Sequence, residues 1–216
     1  MSSGASGEVR VVLATRNPHK VGEFAELLRG FGVTVVPLSE FPGAGDVVED
    51  RPTFHGNAAK KAEAAAAATG LPALADDSGL EVDALGGAPG VRSARFAGVD
   101  ADDAANRRHL VECMADVPDG DRDARFRCVL ALAMPDGETR FAEGACEGRI
   151  LREERGSGGF GYDPLFVPAG ETRTFAEMAS TDKDARSHRG QAVRRAGSLF
   201  EGLKAAGPRG QGRGAA

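Results

Sequence analysis

The alternation of apolar patterns near the start of the chain constrains its fold more than any other feature. Val9–Ala14 is almost continuously apolar, as expected of a strand that is buried on both faces. Lys20–Phe31 follows with apolar residues at the spacing of an amphipathic helix, and Gly30 and Gly32 supply its stop signal. Thr34–Leu38 is rich in β-branched residues and predicts a second strand. A strand, a helix and a strand in this order predict the opening of an α/β domain.

Further helices and strands are predicted along the rest of the chain. The patterns predict helices at Thr53–Thr69, Asp102–Val117 and Gly190–Ala205, and strands at Ala73–Asp76, Leu80–Leu85, Phe126–Met134 and Thr139–Ala145. The first two of these strands are expected to flank a turn, and the last two to form an antiparallel hairpin. Residues 1–7 and 207–216 are rich in Gly, Ser and Arg and are predicted to be disordered, which leaves a single domain over residues 8–206.

Charge, cysteine content and hydropathy argue against several function classes. The formal net charge of −5 does not support a general basic surface for nucleic acid. The three cysteines include no CxxC pair, which argues against a zinc site or a disulfide framework and for a reducing compartment. No apolar run reaches the roughly 18 residues that span a bilayer, and the first residues do not resemble a signal peptide. We therefore expect a cytoplasmic protein that does not bind membranes.

Polar residues and glycines crowd into five segments next to the predicted strands. These are Thr15-Arg16-Asn17-Pro18-His19-Lys20, Glu49-Asp50, Asp76-Asp77-Ser78-Gly79, Gly156–Phe166 and Lys183–Gly190. The first segment lies between a strand and a helix, where free N–H groups bind phosphate and a lysine adds charge. An ordinary capped turn explains the first segment equally well, and solvated caps or turns are the alternatives for the acidic ones.

The acidic segments suggest a metal site, and the glycine-rich one suggests a flat ligand. Adjacent carboxylates such as Asp76 and Asp77 favour a hard divalent cation, with Glu49 as a further candidate ligand. Glycine makes up 30 of the 216 residues, about twice the average usage of roughly 7%. Glycines around Phe160 and Tyr162, the only tyrosine, suggest backbone that approaches a ligand beside aromatic rings. A nucleoside triphosphate with Mg²⁺ fits these segments together.

The segments resemble the inosine triphosphate pyrophosphatase family, also called Ham1-like. The matching motifs are Thr15-x-Asn17-x-x-Lys20-x-x-Glu23, Glu49 before Thr53-Phe54-x-x-Asn57-Ala58 with Lys60, Ala75-Asp76-Asp77-Ser78-Gly79-Leu80, Leu85-Gly86-Gly87-Ala88-Pro89-Gly90, Gly158-Gly159-Phe160-Gly161-Tyr162-Asp163-Pro164 and Ser187-His188-Arg189-Gly190. The resemblance implies a bilobed α/β domain with a central twisted mixed β-sheet flanked by helices, and a homodimer. It also implies hydrolysis of dITP, ITP and XTP to the nucleoside monophosphate and pyrophosphate, which would remove them from the nucleotide pool.

The resemblance also implies roles for single residues. Asp77 would be the general base and would hold Mg²⁺ together with Glu49 and Asp76, while Lys20 would neutralise charge during catalysis. The substrate would contact Thr15, Arg16, Asn17, Pro18, His19, Lys20 and Ser78 around its phosphates, Phe160, Gly161, Tyr162 and Asp163 around its base, and Lys183, His188 and Arg189 at the purine O6 edge.

Two other functions remain open from the sequence. One is a Maf-like nucleotide pyrophosphatase that prefers pyrimidine or modified bases. The other is a module that senses nucleotides without turnover. Rapid hydrolysis of dTTP or UTP would favour the first, and binding without hydrolysis in the presence of Mg²⁺ would favour the second.

Overall fold

The computed structural model describes residues 9–206, with the side chains of Pro18, His19 and residues 204–206 left out. The two predicted disordered ends, 1–7 and 207–216, lie outside the described residues. No helix between residues 9 and 206 is long and apolar enough to cross a membrane. The predicted domain boundaries at 8 and 206 stay predictions.

A six-stranded mixed sheet forms the centre of the molecule. Its strands are β1 Val9–Leu13, β2 Val33–Pro37, β3 Ala73–Val82, β4 Asp123–Ala133, β5 Thr139–Ile150 and β6 Phe166–Pro168. Their order across the sheet is β2-β1-β3-β4-β5-β6. β1 is parallel to β2 and β3, whereas each neighbouring pair from β3 to β6 is antiparallel. The structure confirms the predicted α/β class with a central mixed sheet.

Helices flank the sheet. They are α1 Pro18–Leu28, α2 Phe54–Thr69, α3 Asp103–Cys113, α4 Ser180–Arg186, α5 His188–Arg195 and α6 Gly197–Ala206. The first of them joins β1 to the parallel β2, which confirms the predicted strand-helix-strand opening. α2 begins after Thr53, whose hydroxyl accepts a hydrogen bond from Gly56 N at 3.1 Å, and ends at Gly70 in the left-handed conformation.

One prediction in the middle of the sheet is wrong. Ala73–Val82 is a single ten-residue strand, not two strands around a turn. The polar residues stay extended because β4 pairs with β3 along its whole length, from Ala73 opposite Ala133 to Val82 opposite Ala124. A Cβ atom on Gly79 would lie 2.3 Å from the Gly90 carbonyl oxygen, so this glycine permits close packing instead of a turn.

The last predicted helix is also divided. α5 begins two residues earlier than expected, because Ser187 caps it by accepting a hydrogen bond from Gly190 N at 3.1 Å. It ends at Arg195, and α6 starts at Gly197. The predicted hairpin is present, but β5 continues to Ile150 instead of ending at residue 145.

Side chains alternate between the two faces of the sheet, and this alternation positions the site. Leu74 of β3 packs in a cluster with α1, α5 and α6, whereas Ala73 and Ala75 pack in a second cluster with α2. Continuing this period of two, Asp76 faces α1 and α5, and Asp77 faces α2. A third cluster joins the far ends of β3 and β4 to α3 and β6.

Candidate active site

A cavity of about 460 Å³ lies where β1 ends beside β3. β1 pairs with β3 only at Val12 and Leu13, so the following part of β3 has no β1 backbone beside it. Around the end of β1, the cavity therefore reaches both faces of the sheet. Among the predicted residues it is lined by Thr15, Arg16, Asn17, Lys20, Glu49, Asp77, Ser78, Phe160, Gly161, Tyr162, Asp163, His188 and Arg189. The structure thus brings together residues from all five segments, at the carboxyl end of a parallel strand.

The three carboxylates predicted to share a metal do not form one group. Glu49 and Asp77 both contact the ammonium group of Lys61, which lies 3.7 Å from Asp77 Oδ1. Asp76 points to the opposite face of the sheet. Within residues 9–206 no cluster of three or more His, Cys, Asp or Glu side chains is arranged to hold a metal ion.

Asp77 is held in a buried position on the α2 face. Its Oδ2 accepts a hydrogen bond from Asn57 Nδ2 at 3.0 Å, and the residue is 5% exposed. Burial raises the pKa of Asp77 to about 6; the charge of Glu49 acts in the same direction, while Lys61 and Asn57 oppose it. A carboxylate with this pKa can accept a proton near neutral pH.

Lys61 is a site residue that the sequence analysis missed. Lys60 belongs to the matching motif, but its ammonium group contacts the Val48 carbonyl at 2.9 Å and Asp50 at 2.8 Å instead. Lys61 lies four residues after Asn57 on α2, so both side chains project from one helix face toward Asp77. That spacing is the signal that could have identified it.

Glu49 is fixed by a second cation in addition to Lys61. Arg95 NH2 donates to the Glu49 backbone carbonyl at 3.0 Å, and Arg95 NH1 lies 3.9 Å from the Glu49 carboxylate. Because Glu49 belongs to a segment without helix or strand, these contacts determine where its carboxylate lies. They keep it beside Asp77.

Asp76 has the opposite environment on the other face. Its Oδ2 lies 2.8 Å from Lys20 Nζ, 2.8 Å from the donating Ser78 hydroxyl and 3.7 Å from Arg189 Nε. Burial alone would raise the pKa of Asp76, but the charges of Lys20 and Arg189 outweigh it and hold the pKa well below its usual range. Asp76 is therefore a fixed anion that orients two cations of the cavity.

The turn between β1 and α1 provides the features of a phosphate site. Asn17 N donates to Thr15 Oγ1 at 3.2 Å, and Lys20 N donates to Asn17 Oδ1 at 3.4 Å, which shapes the turn before the helix. Arg16 forms an ion pair with Asp46 at 2.6 Å at the cavity wall. Pro18 and His19 open α1, but their side chains lie outside the described residues.

Phe160 lies above two cations, at the end of the cavity away from Glu49, Lys61 and Asp77. The Lys183 ammonium and the Arg189 guanidinium are each 5.0 Å from the ring centroid. Glu23 holds both cations, with one carboxylate oxygen 2.9 Å from Lys183 and the other 2.9 Å from Arg189. Lys183 does not line the cavity itself but supports the residues that do.

Asp163, Tyr162 and His188 form the walls of this end. Asp163 Oδ2 accepts hydrogen bonds from Phe160 N at 2.9 Å and from Lys183 at 2.8 Å. The Tyr162 hydroxyl donates to the Ser93 carbonyl at 2.8 Å, so this ring is buried in the wall.

His188 stacks on Phe126, and burial holds the pKa of His188 well below its usual value, with the charges of Arg189 and Lys183 adding to the effect. Its imidazole is therefore neutral at pH 7.

Comparisons with known proteins agree with this geometry. The model of the Ham1 family matches residues 11–198. The dITP/XTP pyrophosphatase of Desulforamulus reducens is 55% identical over 195 residues, covering 90% of this chain and 97% of that protein. That of Streptomyces coelicolor is 50% identical over 187 residues, covering 86% of this chain and 94% of that protein.

Solved structures give the same result for the fold. A HAM1 protein from Coxiella burnetii has a TM-score of 0.82 and 43% identity, covering 90% of this chain and 99% of that chain. The Staphylococcus aureus Ham1 protein has a TM-score of 0.80 and 38% identity, covering 89% and 98%.

Proposed function

Because the chain belongs to the Ham1 family, we propose that its cavity hydrolyses the non-standard purine nucleotides dITP, ITP and XTP to the nucleoside monophosphate and pyrophosphate. The observation that carries this proposal is a single cavity with two chemically different ends. Glu49, Lys61 and Asp77 lie at one end, and Phe160 lies above Arg189 at the other. A volume of about 460 Å³ is within the usual range for small-molecule sites.

A dependence on Mg²⁺ is part of this proposal. The donor set fits the ion, because Mg²⁺ prefers oxygen ligands and commonly uses one or two carboxylates together with substrate phosphates. Glu49 and Asp77 are two such carboxylates, brought together by Lys61 at the cavity wall. When bound there, the ion supplies charge neutralisation at the phosphate oxygens. Asp76 lies on the other face of the sheet, where its Oδ2 is bound by Lys20 and Ser78, so the proposed pair is Glu49 and Asp77.

The chain's own residues support a hydrolytic step at the α-phosphate. Asp77 takes a proton from the attacking water, whose oxygen forms the new bond to phosphorus, and the bond to the oxygen between the α- and β-phosphates breaks. Asn57 holds the Asp77 carboxylate in place at 3.0 Å. The Lys20 ammonium stabilises the charge that develops on the leaving pyrophosphate.

Selectivity against adenine is expected from donors at the Phe160 end of the cavity. Arg189 and His188 line the cavity, and Lys183 lies behind Phe160. A donor that faces O6 of hypoxanthine or xanthine would meet the amino group of adenine as a second donor. Sites built on such hydrogen bonds reject the wrong partner by up to about 10⁴–10⁵-fold.

One assay tests the proposal. Release of pyrophosphate from ITP is measured against ATP, GTP, dTTP and UTP, with Mg²⁺ and with EDTA. We expect rapid release from ITP only with the metal ion, and rates lower by orders of magnitude for the other four. Comparable rates with ATP would contradict the selectivity, rapid dTTP or UTP hydrolysis would favour the Maf-like alternative, and tight binding without release would favour a sensing module.

We further propose that the protein is a cytoplasmic homodimer. The homodimer rests on the resemblance to the family. The cytoplasmic location is consistent with Cys113, Cys128 and Cys146, which are free thiols. Light scattering coupled to gel filtration tests the assembly, and an elution at the mass of one 22.4 kDa chain would contradict it.

A further inference from the structure

The loop over residues 153–163, here named the base loop, is attached to α3 by two side chains that the catalytic step does not use. We propose that Asp103 and Arg107 are positioning residues, which set affinity for the base of the substrate by fixing Gly161 in this loop. The inference deepens the proposed nucleotide hydrolysis and rests on it.

Both backbone polar groups of Gly161 are bound by one helix. Asp103 Oδ2 accepts a hydrogen bond from Gly161 N at 2.7 Å. Arg107 NH1 donates to the Gly161 carbonyl at 2.9 Å. The two side chains are four residues apart, so they lie on the same face of α3. α3 thus fixes the position of this residue from both sides.

Gly161 is the point at which the position of the Phe160 ring can be controlled. Gly159 and Gly161 on either side of it have φ angles of +71° and +61°, in the left-handed region. Glycine has more conformational freedom than any other residue and loses the most on ordering. The position of the ring therefore depends on contacts that hold this backbone: Asp163 binds Phe160 N within the loop, and α3 binds both polar groups of Gly161.

Arg107 also joins the two ends of the base loop. Its Nε lies 2.9 Å from Glu154 Oε1, while its NH1 binds the Gly161 carbonyl. The arginine side chain is 16% exposed, whereas that of Glu154 is 43% exposed. One partly buried guanidinium thus closes the loop from its first residues to the ring-bearing end.

α3 is itself anchored firmly enough to act as a support. The buried Asn106 accepts a hydrogen bond from Ala97 N at 2.9 Å and donates to the Ala94 carbonyl at 3.2 Å. Leu110 of the same helix is fully buried in the third core cluster. The 90–97 segment is thus bound to α3 and, through the Tyr162 hydroxyl on Ser93, to the base loop.

The position of these contacts predicts which step they affect. Asp103 and Arg107 hold the end of the cavity that contains Phe160, and neither contacts Asp77, Glu49 or Lys61 through a hydrogen bond or ion pair described between residues 9 and 206. Their loss should weaken binding of the base and leave binding of the phosphates intact.

The test compares D103A, R107A and the conservative D103N, with R108A as the matched control on an exposed neighbour. KM and kcat for ITP are measured together with the inhibition constant of tripolyphosphate, which has no base, and the Kd of IMP by calorimetry. We expect D103A and R107A to raise KM for ITP and Kd for IMP about tenfold. Their kcat should fall less than threefold, and tripolyphosphate inhibition should not change. D103N retains an oxygen that accepts from Gly161 N and should restore most of the affinity.

The outcomes separate this inference from the proposed function. Unchanged KM and Kd in D103A and R107A would overturn it, as would equal weakening of IMP and tripolyphosphate, which would indicate general damage. A D103N variant as weak as D103A would also contradict it. If the wild-type protein binds IMP but does not hydrolyse ITP, the proposed function fails, while the IMP affinities still decide whether α3 positions the base loop.

Discussion

The two faces of β3 give neighbouring aspartates opposite properties. Asp77 on the α2 face is buried beside Glu49, and its pKa is raised to about 6. Asp76 on the α1 face is also buried, but it lies between Lys20 and Arg189, and its pKa is held well below its usual range. The difference teaches that the chemistry of an Asp-Asp pair in a strand depends on which helices cover each face. One carboxylate can exchange a proton, and the other keeps cations in place.

The largest expected effect is a loss of catalytic activity when Asp77, the proton-accepting aspartate, is replaced. Asp77→Asn should lower kcat for ITP by about 10³-fold, because the general base is lost while the shape of the side chain is kept. Steady-state pyrophosphate release measures this. A loss below tenfold would show that Asp77 does not accept the proton from water.

The second prediction separates them by stability. Asp76→Asn should lower the free energy of unfolding by about 3–5 kcal/mol, because Lys20 and Arg189 lose the anion that compensates their burial. Urea unfolding of the metal-free protein gives the value. A variant as stable as the wild type would mean that the Asp76 charge does not hold this face together.

The third prediction concerns Asp77 and pH in metal-free protein. The pKa of Asp77 is raised on folding. Burial of this side chain therefore costs no folding free energy below pH 3.8, where it is protonated in both states, and it destabilises the folded protein as pH rises through about 6. Asp77→Asn should therefore gain stability over the wild type between pH 4 and pH 7, by up to about 3 kcal/mol. Melting in EDTA across that range tests the sign, and a gain that shrinks with rising pH would contradict it.

The smallest expected effect concerns Lys61, the cation beside Asp77 on the α2 face. Lys61→Gln should move the acid limb of the kcat/KM profile to higher pH by about one unit, because a cation that lowers the pKa of Asp77 is removed. Lys60→Gln is the matched control, since Lys60 contacts Asp50 instead. Equal shifts in both variants would contradict the claim that Lys61 lowers the pKa of Asp77.

Many residues of the candidate site could be predicted from the sequence. The placement of Asp76 and Asp77 on opposite faces of β3 could not. The acidic pair, Lys20 and the Phe160 loop are visible as motifs, because their residue types are unusual beside apolar strands. The turn expected between Asp76 and Leu80 is absent, because pairing with β4 over ten residues overrides the local turn signal of Ser78-Gly79. Only a continuous strand sends the two aspartates to opposite faces.

Contacts between distant segments account for most of what the sequence did not reveal. Lys61 and Lys60 are adjacent, and the four-residue spacing from Asn57 favours Lys61 only once Asn57 is known to face Asp77. The attachment of Gly161 to Asp103 joins residues 58 positions apart. The Tyr162 hydroxyl binds the Ser93 carbonyl in the cavity wall, a partner that no local pattern indicates.

The most direct test of the central claim is a carbon-detected NMR titration of the Asp76 and Asp77 carboxyl groups in the metal-free protein, with assignments checked by the Asp→Asn variants. The account predicts that Asp77 titrates with a midpoint of about 6, whereas Asp76 stays ionised down to and below the ordinary value of 3.8. Two midpoints together near that ordinary value, or the reverse order, would contradict the claim that the faces of β3 separate the two roles.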